Sequence, residues 1–196
     1  MKTRTTSHLA ALLLALGFSA PGLAAVVWNE ANNGDLSNDG LNPTTIGVSL
    51  GSNIVNGSTG SPGTGVDRDY FRFTIPVGAA LTSITIQPNT TVSGSSSFIG
   101  LQAGPQLTVT PSGVGVENLI GFSHYGNADV GVNLLPLLAA SFISGLPSGT
   151  YSLWLQETGG PVDYGIDFGV TAVPLPAAAW LLMPGLLGLW ARARRR

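Results

Sequence analysis

The chain has 196 residues, 27 of them glycine, and none is cysteine, which excludes disulfides, thiol catalysis and cysteine-ligated metal sites. Most of its basic residues lie at the two ends, so that residues 25–173 hold two arginines and ten acidic residues, a net charge of −8. A surface of this sign cannot neutralise phosphates, which argues against nucleic-acid binding and favours cations, neutral glycans or proteins as partners.

The first 24 residues have the layout of a secretory signal peptide. Lys2 and Arg4 precede an apolar run over residues 9–18, and small residues follow up to Ala24. The run has about half of the roughly 20 residues that a membrane helix needs. We therefore predict that signal peptidase cleaves after Ala24; a retained N-terminal anchor is the alternative.

Residues 25–172 have the pattern of one all-β domain. In residues 69–75, Phe71, Phe73 and Ile75 alternate with polar or amphipathic residues, as in a half-buried strand. Further strands are predicted over 25–29, 46–50, 53–57, 81–87, 97–103, 106–110, 117–122, 151–156 and 162–171. Turn residues 159–161 suggest that the last two strands form an antiparallel hairpin, and a short helix is expected within 129–143. The pattern predicts an antiparallel two-sheet sandwich of jelly-roll type.

Two oxygen-rich clusters are the strongest chemical signal in this domain. The first contains Glu30, Asn32 and Asn33, followed by Asp35, Ser37 and Asp39 in the same stretch; the second contains Asp67 and Asp69. Calcium takes 6–8 oxygen ligands from flexible loops, so these residues are candidates for a calcium site. The alternative is that they only satisfy loop backbone in Asx turns.

Parts of the domain resemble the bacterial pre-peptidase C-terminal domain, a β-sandwich accessory module. The resemblance lies in residues 29–35, 67–78 and 149–153, and it is patchy between 88 and 147. It implies a sandwich fold, and it places Glu30, Asn32, Asn33, Asp67 and Asp69 near the ligand positions of calcium-binding members. Ala31 departs from the family pattern, which has a proline after the glutamate.

Catalysis has little support in the sequence. After removal of the signal peptide, His124 is the only histidine, and it neighbours Ser123 without the G-x-S-x-G spacing of a nucleophile elbow. Neighbours on a strand point to opposite faces, which separates a nucleophile from its base. Trp28, Tyr70 and Trp154 could form a sugar-stacking platform, although aromatic residues of sandwiches more often belong to the core.

The C-terminal end combines a short motif, an apolar stretch and a basic cluster. Residues 173–190 contain no charge and would span about 27 Å as a helix, enough for a bilayer core. The motif is Val173, Pro174, Leu175, Pro176 and Ala177, and the basic residues are Arg192, Arg194, Arg195 and Arg196. A basic cluster beside an apolar span stays cytoplasmic, so the body would lie outside.

This arrangement over residues 173–196 resembles the VPLPA variant of the PEP-CTERM sorting signal. The resemblance implies processing by an exosortase in the inner membrane, and Leu175 stands where a glutamate is more common. A permanent single-pass anchor is the alternative.

Together these features predict a non-enzymatic protein of the cell surface or extracellular matrix of a Gram-negative bacterium. It would be anchored transiently in the inner membrane and then released. Its expected partners are signal peptidase, exosortase and extracellular polysaccharide. A calcium-dependent glycan-binding module is the alternative function.

Overall fold

A computed structural model describes residues 24–61, 63, 65–94 and 96–174. The predictions for the signal peptide before Ala24, for Leu175, Pro176 and Ala177, and for the arginine cluster lie outside these residues. Within the described part of the chain every helix is a single turn, and none has the length or apolar character of a membrane span.

Nine strands and two short α-helices make up the described chain. In chain order they are β1 (Ala25–Asn29), α1 (Glu30–Asn33), β2 (Thr44–Thr45), β3 (Gly51–Thr59), β4 (Arg68–Ile75), β5 (Ala79–Ile86), β6 (Ser97–Ala103), β7 (Leu119–Tyr125), α2 (Leu135–Leu138), β8 (Gly149–Gln156) and β9 (Val162–Ala172). Two 3₁₀ turns precede and follow β7, at Val116–Asn118 and Asn127–Asp129.

The strands form two sheets, as the sequence predicts. The four-stranded sheet has the order β1-β3-β9-β5, and the five-stranded sheet has the order β2-β4-β8-β6-β7. The sheets are mixed rather than antiparallel, because the outer strands β1 and β2 run parallel to β3 and β4. Parallel strands are joined by a crossover connection rather than by a tight turn. The local pattern of alternation, which predicts hairpins, therefore does not reveal such pairs.

The core lies between the two sheets. The Phe168 ring on β9 contacts the rings of Phe71 and Phe73 on β4, with centroids 5.8 and 5.3 Å apart. Phe71, Phe73 and Ile75 point inwards, as their alternation predicts, and so do Ile84 and Ile86 of β5. Each such buried side chain contributes roughly 1.5–3 kcal/mol of transfer free energy.

The predicted hairpin of the last two strands is wrong. β8 belongs to the five-stranded sheet, whereas β9 crosses to the other sheet and pairs with β3 and β5. Both strands place alternate side chains in the core, so their local pattern is the same in a hairpin and in a sheet-to-sheet crossing.

Two predicted strands are also wrong, and the helix is shorter than its predicted region. Residues 46–50 and 106–110 are not strands. In residues 106–110, Leu107 and Val109 pack on the outward-facing Tyr70 and Trp154. The alternating apolar residues of this segment therefore belong to a loop that covers the outer face of the sheet, which we call the covering loop. The predicted helix within 129–143 is the single turn α2.

Candidate metal centre

Asp69 lies on the inward face of β4, in line with Phe71 and Phe73. Its side chain is 0% exposed. Burial of an ionised carboxylate is costly unless hydrogen bonds or a cation compensate for the lost water. The surroundings of its two oxygens therefore decide what this side chain does.

One oxygen of Asp69 joins the two sheets. The Tyr164 hydroxyl, on β9 of the four-stranded sheet, donates to Asp69 Oδ2 at 2.7 Å. Asp69 Oδ1 is buried and has no hydrogen-bond partner among the described residues. A buried carboxylate oxygen without a partner is rare in folded proteins and calls for an explanation.

Glu30 approaches Asp69 from the short helix after β1. The Asn29 side chain caps this helix by accepting from Ala31 N at 3.1 Å. The Glu30 carboxylate accepts from Leu36 N at 3.1 Å and from Ser58 N at 2.8 Å, so backbone on both sides fixes its position.

Asp35 supplies the third carboxylate. One oxygen from each of Glu30, Asp35 and Asp69 lies within 4.8 Å of the others, and Asp35 is exposed. We call these three side chains the carboxylate cluster. Asp67 lies beside the cluster, where its Oδ1 accepts from Asn38 Nδ2 at 3.1 Å.

The cluster borders an open cleft of about 700 Å³. Gly57 of β3 is part of its wall, and a Cβ added there would lie 2.5 Å from Tyr164 Oη and 2.8 Å from Glu30 Cδ. A side chain at position 57 would therefore displace the groups that hold the cluster. Asp163 lines the same cleft and adds to its negative charge.

The local environment raises the pKa of three carboxyls in and beside the cluster, those of Glu30, Asp67 and Asp69. Burial, followed by the repulsion of Glu30, raises the pKa of Asp69 to about 9, although the hydrogen bond from Tyr164 opposes the rise. Burial is also the main cause that raises the pKa of Glu30 and of Asp67 above their ordinary values. A cation in the cluster would reverse these shifts, since it favours the ionised form.

The chemistry of the donors fits a hard divalent cation. All three side chains of the cluster offer carboxylate oxygens, which suit Ca²⁺ and Mg²⁺ rather than the softer metals. A cation that reached Asp69 Oδ1 would satisfy this orphaned oxygen. The open cleft leaves room for water ligands, as flexible calcium coordination requires.

The structure unites only part of the predicted ligand set. Glu30 and Asp69 meet in the cluster, and Asp67 lines the cleft next to them. Asn32 is exposed and is absent from the lining, whereas Asn33 Oδ1 accepts from Asn29 N at 2.9 Å and so holds the helical turn.

Some sequence signals at this site were not used in the prediction of ligands. Asp35 belonged to the first oxygen-rich cluster but not to the predicted ligands, and Tyr164 was assigned only to the alternation of its strand. Asp69 itself shares the apolar face of β4, and an acid on such a face is the signal of a buried functional group. Asp39 instead forms a separate turn, with its Oδ1 accepting from Leu41 N at 2.9 Å.

A second cleft lies on the outer face of the five-stranded sheet. Here Trp154 stacks on Tyr70 with centroids 5.7 Å apart and contacts Phe98 at 4.6 Å, while Phe98 contacts Phe122 and His124, each at 5.9 Å. We call these five residues the aromatic stripe. All of them except Tyr70 line a cleft of about 330 Å³, and Phe122 is 51% exposed.

Trp28, Tyr70 and Trp154 do not form a sugar-stacking platform, which was the less favoured of the two interpretations of these residues. Tyr70 and Trp154 are buried beneath the covering loop, and Trp28 belongs to the other sheet. Next to the stripe, the Ser123 hydroxyl donates to the His124 carbonyl oxygen at 3.2 Å, so this pair does not form a nucleophile and its base.

No family model, curated protein or solved structure matches this chain.

The raised pKa of Asp69 predicts a defined pH dependence. Without calcium, the unfolded chain ionises Asp69 near pH 3.8, whereas the folded chain holds the proton up to about pH 9. The folded state therefore binds the extra proton within this window, and Asp69 lowers stability as pH rises, by at most about 1.4 kcal/mol per pH unit. We expect the stability of Asp69→Asn relative to wild type to increase as the pH rises from 5 to 8. Urea unfolding in EGTA measures the free energy of unfolding of both proteins. A stability difference independent of pH would contradict the prediction.

Gly57 provides a steric test of the same site. We expect Gly57→Ala to lose most of the rise in melting temperature that millimolar calcium gives the wild type, because the new methyl group displaces Glu30 and Tyr164. Gly47→Ala is the matched control, since nothing lies within 4 Å of a Cβ at that position. Differential scanning calorimetry with calcium and with EGTA measures the effect. An undiminished calcium shift in Gly57→Ala would argue against binding at the cluster.

Proposed function

We propose that this chain is a non-enzymatic protein of the cell surface or extracellular matrix, whose sandwich is closed by calcium at the carboxylate cluster. The buried Asp69, with one oxygen bonded to Tyr164 and the other without a partner, is the observation that supports the calcium site most strongly. The jelly-roll topology and the relation to pre-peptidase C-terminal domains are part of the proposal.

Calcium would act here as a structural link. Asp69 comes from the five-stranded sheet, and Glu30 follows the first strand of the four-stranded sheet. A cation between their carboxylates would hold the two sheets together at one end and cancel part of their repulsion. Its contribution grows with calcium concentration as RT ln(1 + [Ca²⁺]/Kd), so the site favours calcium-rich surroundings outside the cell.

The export part of the proposal rests on the two ends of the sequence. Signal peptidase would remove residues 1–24, and an exosortase would cut near the motif that begins at Val173. The ten acids and two arginines between these ends give an anionic body that would remain soluble in a hydrated polysaccharide matrix.

The mass of the native protein tests this processing. We expect material from culture supernatant or washed cell surfaces to lack residues 1–24 and the residues after the Val173 region, as measured by intact-mass spectrometry. A strain in which residues 173–196 are deleted is the control, because its product bypasses sorting. A membrane-bound product that retains Arg196 would instead establish a permanent anchor.

The aromatic stripe supports a second candidate function, the calcium-dependent binding of a neutral glycan. Exposed ring faces such as that of Phe122 stack on the apolar faces of sugars, and polar side chains that include Ser96 and Gln156 lie around the same cleft. Arg68 Nε donates to Gln156 Oε1 at 2.6 Å, which leaves the Gln156 amide group to donate to a ligand.

The stripe and the cluster are connected through β4. Arg68 lies between Asp67 and Asp69 in the chain, so a cation that orders these acids also orders the arginine that orients Gln156. This connection provides a physical route by which calcium would control glycan binding.

Glycan binding makes a separate prediction. We expect Phe122→Ala to reduce retention on neutral polysaccharide columns about tenfold. Loss of one aromatic stacking contact costs roughly 0.5–1.5 kcal/mol, and the variant also loses the apolar contact area of the ring with the sugar. Phe142→Ala is the control, because that side chain is partly exposed but lies outside the stripe. Equal retention of both variants, with and without EGTA, would remove this candidate.

A further inference from the structure

The two ends of the sandwich differ in charge. β9 runs from Val162, beside the carboxylate cluster, to Ala172, a length of about 35 Å. Ala172 pairs with Ala79, and Val173 N donates to the Gly78 carbonyl oxygen at 2.8 Å. We call this second end of the sandwich, where the chain leaves the domain, the exit end.

Apolar side chains are exposed at the exit end. Val77, in the turn between β4 and β5, is 97% exposed, while Leu50 and Val173 are 53% and 51% exposed. Leu50 belongs here because the next residue, Gly51, pairs with Val170 near the end of β9. Exposed apolar side chains that are grouped at one end of a domain indicate a contact surface rather than isolated exposed residues.

A neighbouring loop extends this surface. Ile143 is 99% exposed at a turn in which Gly145 N donates to the Phe142 carbonyl oxygen at 2.9 Å. The loop returns to the first half of β5, where Leu146 and Leu81 exchange backbone hydrogen bonds of 2.9 Å. The turn that presents Ile143 therefore lies beside the part of the domain from which the chain exits.

The segments that form this end are free of charge. No Asp, Glu, Lys or Arg occurs in residues 73–116, 130–156 or 168–191. The acids Glu30, Asp35, Asp67, Asp69 and Asp163 lie instead around the cleft at the opposite end. The domain is thus polarised along its strands, from an acidic end to an uncharged apolar end.

No linker separates the last strand from the apolar stretch of the tail. β9 ends at Ala172, and the uncharged stretch begins at Val173 and continues for 18 residues to Trp190. A tail that enters the bilayer directly after β9 brings the exit end to within a few residues' length of the lipid headgroups, about 3.3 Å per extended residue.

We propose that the exit end rests on the lipid bilayer while the tail is inserted, with the Val77 turn and the Ile143 turn in the headgroup region. This inference depends on the tail acting as a membrane segment, as proposed above. Contact there would turn the acidic end away from anionic lipids and hold the sorting motif at the membrane surface, where an exosortase in the membrane acts. Apolar groups in such interfaces lie about 5–10 Å into the boundary of headgroups and acyl chains.

The test uses the full chain in vesicles of phosphatidylethanolamine and phosphatidylglycerol. Because the protein has no cysteine, Val77→Cys, Ile143→Cys, Val114→Cys and Leu187→Cys each provide one attachment site for an environment-sensitive fluorophore. Val114 is the matched control, since it is a 69% exposed valine in the loop over the aromatic stripe. Quenching by nitroxides placed in the headgroups or in the acyl chains measures the depth of each label.

We expect headgroup nitroxides to quench the labels at 77 and 143, acyl-chain nitroxides to quench the label at 187, and neither to quench the label at 114. The label at 187 could be quenched while the labels at 77 and 143 are as accessible to water as the label at 114. That result would overturn the inference and leave the anchor intact. Labels at 77 and 143 shielded from water but unquenched by lipid would indicate a second copy of the chain and overturn it too. A water-accessible label at 187 would overturn the anchor, and the inference with it.

Discussion

The hydrogen bond from Tyr164 to the buried carboxyl of Asp69 is the contact on which one end of this sandwich depends. It is short, at 2.7 Å, it is shielded from water, and it joins an interior strand of each sheet, β4 and β9. The remaining charges gather around it because Glu30 is fixed by the backbone of residues 36 and 58, and Asp35 follows within the same loop. Repulsion among these carboxyls opposes closure of the sheets, and a proton or a cation relieves it. We therefore expect this end of the sandwich to respond to both pH and divalent ions.

This constraint is not covalent. A domain without cysteine cannot restrict its unfolded state by disulfides, and it relies on packing such as that of Phe168 against Phe71 and Phe73. An ion site differs from a disulfide in that its contribution follows the surroundings. The proposed calcium link would strengthen as the calcium concentration around the domain rises.

The sequence predicted those features that follow from local alternation. The inward residues of β4 were correct, because period-two burial is a property of each strand alone. The partners of a strand are not local, so the β8–β9 hairpin was wrong, as was the expectation that both sheets are wholly antiparallel. At the site, Glu30 and Asp69 could be selected by residue type. The convergence of Tyr164 on them required the crossing of β9 between sheets, which no local pattern encodes. Asn33 was misjudged for the opposite reason, since its oxygen serves the adjacent helical turn.

The position of β9 also has a consequence for the order of events during synthesis. β9 lies between β3 and β5, yet it is the last strand of the described residues. The four-stranded sheet therefore cannot be completed on a growing polypeptide until residue 172 has been made, because one of its two interior strands is absent until then. Pairing of β3 with β9 joins residues more than 100 positions apart, a separation typical of slow folding. Residues 51–59 therefore have no β9 to pair with until residues 162–170 have been made.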